Sequence, residues 1–284
     1  MRKTLSIVML IAAIFLLAAF APAAVGSQRL GLSYRNPMKF GEAQVYVNLE
    51  ALLARPQAGK KWAVIIGIAD YQGTGSDLWH PDEDAKDMYT ELTRQQGYFR
   101  SNVKLLTNRA ATATAIVNAI NWLVSKEKAG DEVVFFYSGH GYRAPDADSW
   151  DGDVESDGYD EMIVTYDFYG LPDGWFKQKF AAVESTKFAL MFGSCFSGGM
   201  FDDNDDLQGS GRVIASACKA DQYGWDYLQL GNTLWGYYFL DEALLDNRAN
   251  SIEAAHSYAY PFVVAAQPDS QPQLYDNYPG EFVL

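Results

Sequence analysis

The sequence predicts an α/β fold, a three-layer α/β/α sandwich around a mostly parallel central sheet, and three observations carry that expectation. Short, charge-free apolar runs recur, as in Val133-Val134-Phe135-Phe136-Tyr137 and Phe188-Ala189-Leu190-Met191-Phe192, the pattern of strands buried on both faces. Amphipathic helical stretches alternate with these runs. Finally, both runs end in a reactive side chain among small residues: Ser138-Gly139-His140-Gly141 after the first, and Gly193-Ser194-Cys195-Phe196-Ser197-Gly198-Gly199 after the second. In parallel sheets ligands bind just beyond the carboxyl ends of the strands, where His140 and Cys195 would sit.

The elements follow in order. Trp62 to Ile68 reads as the first core strand, and a helix from about Asp82 to Gln95 follows, with Met88 and Leu92 four apart on one face. Val103 to Leu106 makes the second strand. Thr112 caps a helix to about Ser125, in which Ile116, Ile120 and Leu123 share a face. The third strand carries His140, a short strand near Met162 to Thr165 follows an acidic loop, the fourth carries Cys195, and the fifth ends at Cys218. Leu234 to Leu245 is a further helix, and Phe282-Val283-Leu284 is expected to close the chain as a last strand.

One principal domain is expected over residues 61–284, since 49% of the chain is apolar or aromatic and no repeat is visible. Residues 25–60 read as an N-terminal extension. Arg2 and Lys3 precede an apolar stretch from Leu5 to Phe20, and the small residues Ala21-Pro22-Ala23-Ala24 follow. That order is the pattern of a signal peptide over residues 1–24. The apolar stretch is also long enough to be read as an uncleaved anchor, so the protein is expected to be secreted or held at the cell envelope, touching membrane only if the segment is retained.

The formal net charge is −14, and removal of Arg2 and Lys3 would leave 20 bases against 36 acids. Such a balance excludes nucleic acid as a natural partner, because phosphate binding needs a basic face. Metal ions and Lys- or Arg-containing peptides fit it better. Eight of the sixteen residues from Asp146 to Glu161 are acidic and none is basic, and Asp202-Asp203-Asn204-Asp205-Asp206 adds four acids. These segments read either as solvated loops or as a calcium site. Zinc is not expected, because His80, His140 and His256 and the two cysteines have no compact ligand spacing.

Cys195 and Cys218 are the only cysteines, so a disulfide framework is excluded, although a single bridge between them remains an alternative. A buried cysteine is usually an inert hydrophobe, and a lone histidine is usually structural. Both together, at glycine-flanked strand ends 55 residues apart, read as a Cys/His hydrolase. A nucleophile elbow of the G-x-C-x-G kind fails, since position 197 is Ser.

Five ordered motifs carry a family resemblance: Leu78-Trp79-His80-Pro81-Asp82-Glu83-Asp84-Ala85-Lys86-Asp87-Met88, Tyr137 to Gly141, Ser194 to Gly198, Ser216-Ala217-Cys218-Lys219-Ala220-Asp221-Gln222, and Gly231-Asn232-Thr233-Leu234-Trp235-Gly236-Tyr237-Tyr238. The chain from about Lys60 onward resembles the caspase-like cysteine peptidases, and most of all the metacaspases. The resemblance implies a caspase-like sandwich, a monomeric cysteine endopeptidase and a peptide or protein substrate. Cys195 would be the nucleophile and His140 the general base, with the N–H groups of Gly141 and Cys195 as the oxyanion hole. It also implies cleavage after Arg or Lys, with Asp84 and Ser138 in the substrate pocket. The family's second pocket acid is replaced here by Gly193. No cofactor is required for this chemistry, but calcium as an activator is implied, with Asp160, Asp173 and Asp202 as ligands by motif position. An alternative of another class is a catalytically silent caspase-like module that binds calcium or a protein at the cell surface. A poised dyad is expected to lower the pKa of Cys195, and a silent one is not.

Overall fold

The computed structural model describes the backbone of residues 38–40 and 43–45 and, with side chains, residues 59–73, 75–146, 155–203 and 206–284. The expected signal or anchor, most of the extension and the middle of the acidic loop lie outside the described residues. The chain divides into two compact units, Met1–Pro56 and Gln57–Leu284. In the first, β1 (Met38–Phe40) and β2 (Ala43–Val45) form an antiparallel pair.

The second unit is built on a six-stranded sheet. Its strands are β3 (Lys61–Gly67), β4 (Val103–Thr107), β5 (Glu132–Ser138), β9 (Phe188–Gly193), β10 (Arg212–Ser216) and β11 (Gln273–Asp276), in the order β11-β10-β9-β5-β3-β4. All neighbours are parallel except β11, which runs antiparallel on the edge beside β10. A separate antiparallel sheet joins β6 (Gly141–Pro145), β7 (Tyr159–Val164) and β8 (Gly170–Pro172). The strand expected near Met162 belongs to this second sheet.

Alternation along the central strands splits the core into two layers. Ala63, Ile65, Val134, Phe136, Ala189 and Met191 face one side and Val64, Ile66, Val133, Phe135, Leu190 and Phe192 the other, all fully buried. The first face is covered by α1 (Pro81–Thr90), α4 (Leu234–Gly236, continuing in π-helical turns over Tyr237–Leu245) and α5 (Ile252–Ala266). Two helices cover the other face, α2 (Ala113–Lys126) and α3 (Asp173–Phe180). This is the expected three-layer sandwich. Thr112 caps α2 by accepting from the Ala115 N–H at 3.3 Å, and Ile116, Ile120 and Leu123 are buried as the helical spacing demands.

Two local expectations are corrected. The helix expected to Gln95 is α-helical only to Thr90 and widens to π-turns over Glu91–Gln95. Phe282-Val283-Leu284 is not a strand: the Phe282 N–H donates to the Glu253 carboxylate, its carbonyl accepts from Ile252, and its ring is buried. The edge position goes instead to β11, a strand not expected from the sequence. Helix α5, also not expected, contains Pro261, which follows about two and a half turns already capped by Ser251.

Phe135 sits at the centre of the second layer, its ring 5.3 Å from Phe176, 5.5 Å from Phe180 and 5.7 Å from Phe192. Phe135→Ala is expected to lower the unfolding free energy by about 3–5 kcal/mol in a urea titration. A loss below about 1 kcal/mol would mean that this layer is not close-packed.

Candidate active site

Two adjacent central strands deliver the two reactive side chains. Strands β5 and β9 pair in parallel register up to Ser138 opposite Gly193, and the Gly139 N–H donates to the Gly193 carbonyl at 3.3 Å. Just past that last rung lie His140 and Cys195, and both line a single cavity of about 210 Å³. The chain turns sharply after Cys195: Phe196 holds φ +57, a left-handed conformation unusual for an aromatic residue, and its N–H donates to the Gln222 carbonyl at 2.8 Å. Gly141 is glycine for a steric reason, since a Cβ there would stand 1.9 Å from the Cys195 carbonyl oxygen.

His140 is clamped from several directions. Its N–H donates to Tyr71 Oη at 2.7 Å, and Tyr137 Oη donates to its carbonyl at 2.7 Å. The Tyr71 ring lies 4.7 Å from the imidazole, centroid to centroid. Nε2 is 2.7 Å from the Ser76 carbonyl. Because a carbonyl only accepts, this contact assigns the hydrogen to Nε2 and leaves Nδ1 as the lone-pair nitrogen of the neutral ring. Ser76 and Tyr71 were not legible as site residues; they come from the part of the loop after β3 that precedes the Leu78–Met88 motif.

Cys195 is half-buried, and its thiol donates to the Gly224 carbonyl at 3.6 Å. Burial pushes this thiol up from its ordinary value, the opposite of the shift expected for a poised dyad. Both cysteines are free thiols. Cys218 is buried, 3.3 Å from the Ser194 carbonyl, and burial pushes its thiol up to about 12. It is a packing residue beneath the nucleophile's loop.

Asp84 lies behind the cavity wall. It is fully buried, and its carboxylate accepts from Ser138 Oγ at 2.7 Å, Thr233 Oγ1 at 2.7 Å, the Thr233 N–H at 3.1 Å and Asn232 Nδ2 at 3.1 Å. Thr233, Trp235 and Gly193 stand between it and the opening as lining residues. Burial raises the Asp84 carboxyl to about 6, against the pull of its hydrogen bonds. The acids that line the cavity itself are Asp77 and Asp226, neither singled out by sequence. Asp226 accepts from the Trp79 N–H at 2.6 Å and pairs with His80 Nδ1 at 2.9 Å, tying the Trp79–His80 loop to the segment after Gly224. Both acids come from loops, where residue type alone does not announce a role.

The acidic segments converge, but with a different membership from that expected. Glu155, Asp173 and Asp206 are all buried, with carboxylate oxygens within 4.8 Å of one another. Of the three expected ligands only Asp173 belongs to this group. Asp160 is buried on β7, and Asp202 is exposed. Neighbouring Glu161 is buried with its Oε1 unpartnered, and burial together with Asp202, Asp157 and Glu155 raises its carboxyl to about 9. An all-oxygen cluster of this kind is of the donor type that a hard divalent cation takes. Among the described residues no helix is long and apolar enough to cross a membrane.

The family model described as "Caspase domain" matches residues 60–259. Metacaspase-1A of Aspergillus terreus is 36% identical over 155 residues, covering 51% of this chain and 37% of that protein. Metacaspase-1A of Aspergillus fumigatus is 40% identical over 116 residues, 39% of this chain and 27% of the relative. The chain thus spans about a third of the length of the curated relatives it matches. Among solved structures, a Geobacter sulfurreducens protein superposes with TM-score 0.59 at 19% identity, over 79% of this chain and 99% of the other. The Drosophila initiator caspase Dronc gives TM-score 0.53 at 10% identity, over 80% and 83%. At those identities the two structures speak for the fold alone.

The raised Asp84 carboxyl has a stability consequence with a definite sign. The folded state binds this proton more tightly than the unfolded chain, so the contribution is present below about pH 4 and is lost as pH rises through about 6. The loss amounts to about 3 kcal/mol, taking 1.4 kcal/mol per pKa unit. Urea unfolding of wild type and Asp84→Asn from pH 4 to pH 7 is expected to show their stability difference shifting by that order against wild type. A difference independent of pH would mean that Asp84 is not a buried, strained carboxylate.

Proposed function

This chain belongs to the caspase-domain family, and on that premise we propose that it is a metacaspase-like cysteine endopeptidase that cleaves after Arg or Lys and is stabilised by calcium. The observation that carries the reading is the placement of His140 and Cys195 beyond the last rung of the β5–β9 pair, in one cavity, with Gly141 packed against the Cys195 backbone.

The chemistry follows from those positions. A peptide carbonyl enters beside Cys195, and His140 Nδ1 takes the thiol proton as sulfur attacks. The Ser76 carbonyl holds Nε2–H and so fixes the tautomer and orientation of the ring, the part a carboxylate partner plays in a triad. Oxyanion charge falls on the N–H groups of Gly141 and Cys195. Gly141 faces Ile163 as a non-hydrogen-bonded pair, because the Val164 N–H donates to the His140 carbonyl; its own N–H is thereby left outside the ladder. His140 then protonates the departing amine, and water, activated by the same nitrogen, hydrolyses the thioester.

The preference for a basic residue rests on charge. Asp77 and Asp226 line the cavity, Asp84 lies one layer behind it, and the whole chain carries −14. Asp226 and Asp77 offset the acid missing at Gly193. For calcium, Glu155, Asp173 and Asp206 would be the ligands, supplying carboxylate oxygens to a hard cation. Export guided by residues 1–24 would expose that cluster to the calcium levels at which extracellular sites work. The silent-module reading draws support from one observation, the raised Cys195 thiol, and activity measurements separate the two.

Peptides with a fluorogenic leaving group after Arg, Lys or Asp are the test. Cleavage after Arg or Lys is expected, abolished in Cys195→Ala, reduced about 10²–10⁴-fold in His140→Ala, and reduced at least about 100-fold in Gly141→Ala. Cleavage after Asp would overturn the pocket assignment, and no cleavage under reducing conditions would favour the silent module. Millimolar calcium is expected to raise the Tm by a few degrees, an increase lost in Asp173→Asn. An unchanged Tm in wild type would reject the cation site.

A further inference from the structure

A second concavity opens on the other side of His140. It encloses about 360 Å³ and shares His140, Gly141 and Ser76 with the catalytic apparatus; its remaining walls are Tyr142, Met162, Val164, Phe168 and Gly170. Among the described residues no carboxylate or ammonium lines it, in a chain of charge −14 whose catalytic cavity carries two acids. We propose that this groove is the subsite for the residue that follows the scissile bond, and that it selects a large apolar side chain such as Phe, Met or Leu. The proposal rests on the peptidase reading and extends it to the leaving half of the substrate.

Position argues for that occupant. The nitrogen released by bond cleavage takes its proton from His140, so the departing half of the peptide begins at the imidazole. The residue before the cut occupies the acid-lined cavity with Cys195. The next residue must therefore leave across His140 and Gly141, and the groove begins there.

The walls argue for its chemistry. Phe168 is 48% exposed and Tyr142 57%, so both present large apolar surfaces to the groove without burying them internally. Phe168 also holds φ +60, a conformation costly for an aromatic residue and not repaid by burial. Its ring stacks on Tyr71 at 5.6 Å, and Tyr71 in turn lies against the His140 ring. An apolar side chain packed on Phe168 thus also presses on the residue that steadies the general base. Met162 provides an adaptable wall. It lies flat because position 170 has no side chain: a Cβ on Gly170 would stand 2.3 Å from Met162 Sδ.

Internally quenched peptides, identical except for Phe, Met, Ala, Lys or Asp after the cleaved bond, test this with wild type, Phe168→Gly and Gly170→Val. Cut sites are verified by mass spectrometry. Phe168→Gly removes the wall and relieves the backbone strain, so it is expected to fold; Gly170→Val drives Met162 into the groove. Wild type is expected to favour Phe and Met over Asp by about tenfold or more in kcat/KM, the discrimination a hydrophobic pocket supplies. That ratio should fall to about twofold in Phe168→Gly, and in Gly170→Val the Ala peptide should overtake the Phe peptide. Equal cleavage of all five peptides, or ratios unchanged in both variants, would overturn the subsite while leaving the peptidase intact. Failure of wild type to cleave any of them would overturn the peptidase reading and this inference together.

Discussion

The in-register parallel pairing of β5 with β9 is the constraint on which the site depends. A slip of one residue would turn every alternate side chain from one core layer to the other, exchanging Phe135 with Phe136 and Leu190 with Met191. Those layers are close-packed on both faces, so the register is held by the whole core. The last rung, Ser138 opposite Gly193, then fixes where the chain is free to turn, and His140 and Cys195 follow two residues later on each side. A sheet interior thus sets the geometry of a half-buried pair at its edge.

Around that pair the polar groups divide their work. Backbone carbonyls handle orientation: Ser76 holds the imidazole and Gly224 the thiol. Carboxylates act at a distance from the reacting atoms, as charge in the cavity wall at Asp77 and Asp226 and as a strained reserve at Asp84 and Glu161. Burial raises the Cys195 thiol, and in the proposed chemistry that thiol passes its proton to His140 as sulfur attacks.

What the sequence made legible follows from how local each signal is. The central strands could be read because doubly buried strands are continuous apolar runs, and α2 because Ile116, Ile120 and Leu123 keep helical spacing. His140, Cys195 and Gly141 stood out because short motifs surround them. The neighbours Ser76, Tyr71, Asp77 and Asp226 did not, since an exposed loop serine or aspartate has no pattern until the fold brings it across some sixty to one hundred and fifty residues. Asp84 was legible as a residue of the pocket region but not as one sealed behind Thr233, because burial of a helix-start carboxylate depends on a loop far away in sequence. The acidic cluster was foreseen as a region, but its membership was not: Glu155 and Asp206 join Asp173 only through the small β6-β7-β8 sheet and α3, whose short, mixed sequences carry weak periodicity.

The central claim is that His140 serves Cys195 through Nδ1 while Nε2 remains on the Ser76 carbonyl. A crystal structure of the protein trapped by a peptidyl-arginine ketone, with sulfur bonded to the ketone carbon, tests it directly. The expected result is Nδ1 facing the sulfur, Nε2 on Ser76, and the former carbonyl oxygen within hydrogen-bond reach of the Gly141 and Cys195 N–H groups. An imidazole that presents Nε2 to the sulfur, or an oxygen directed away from Gly141, would contradict the account.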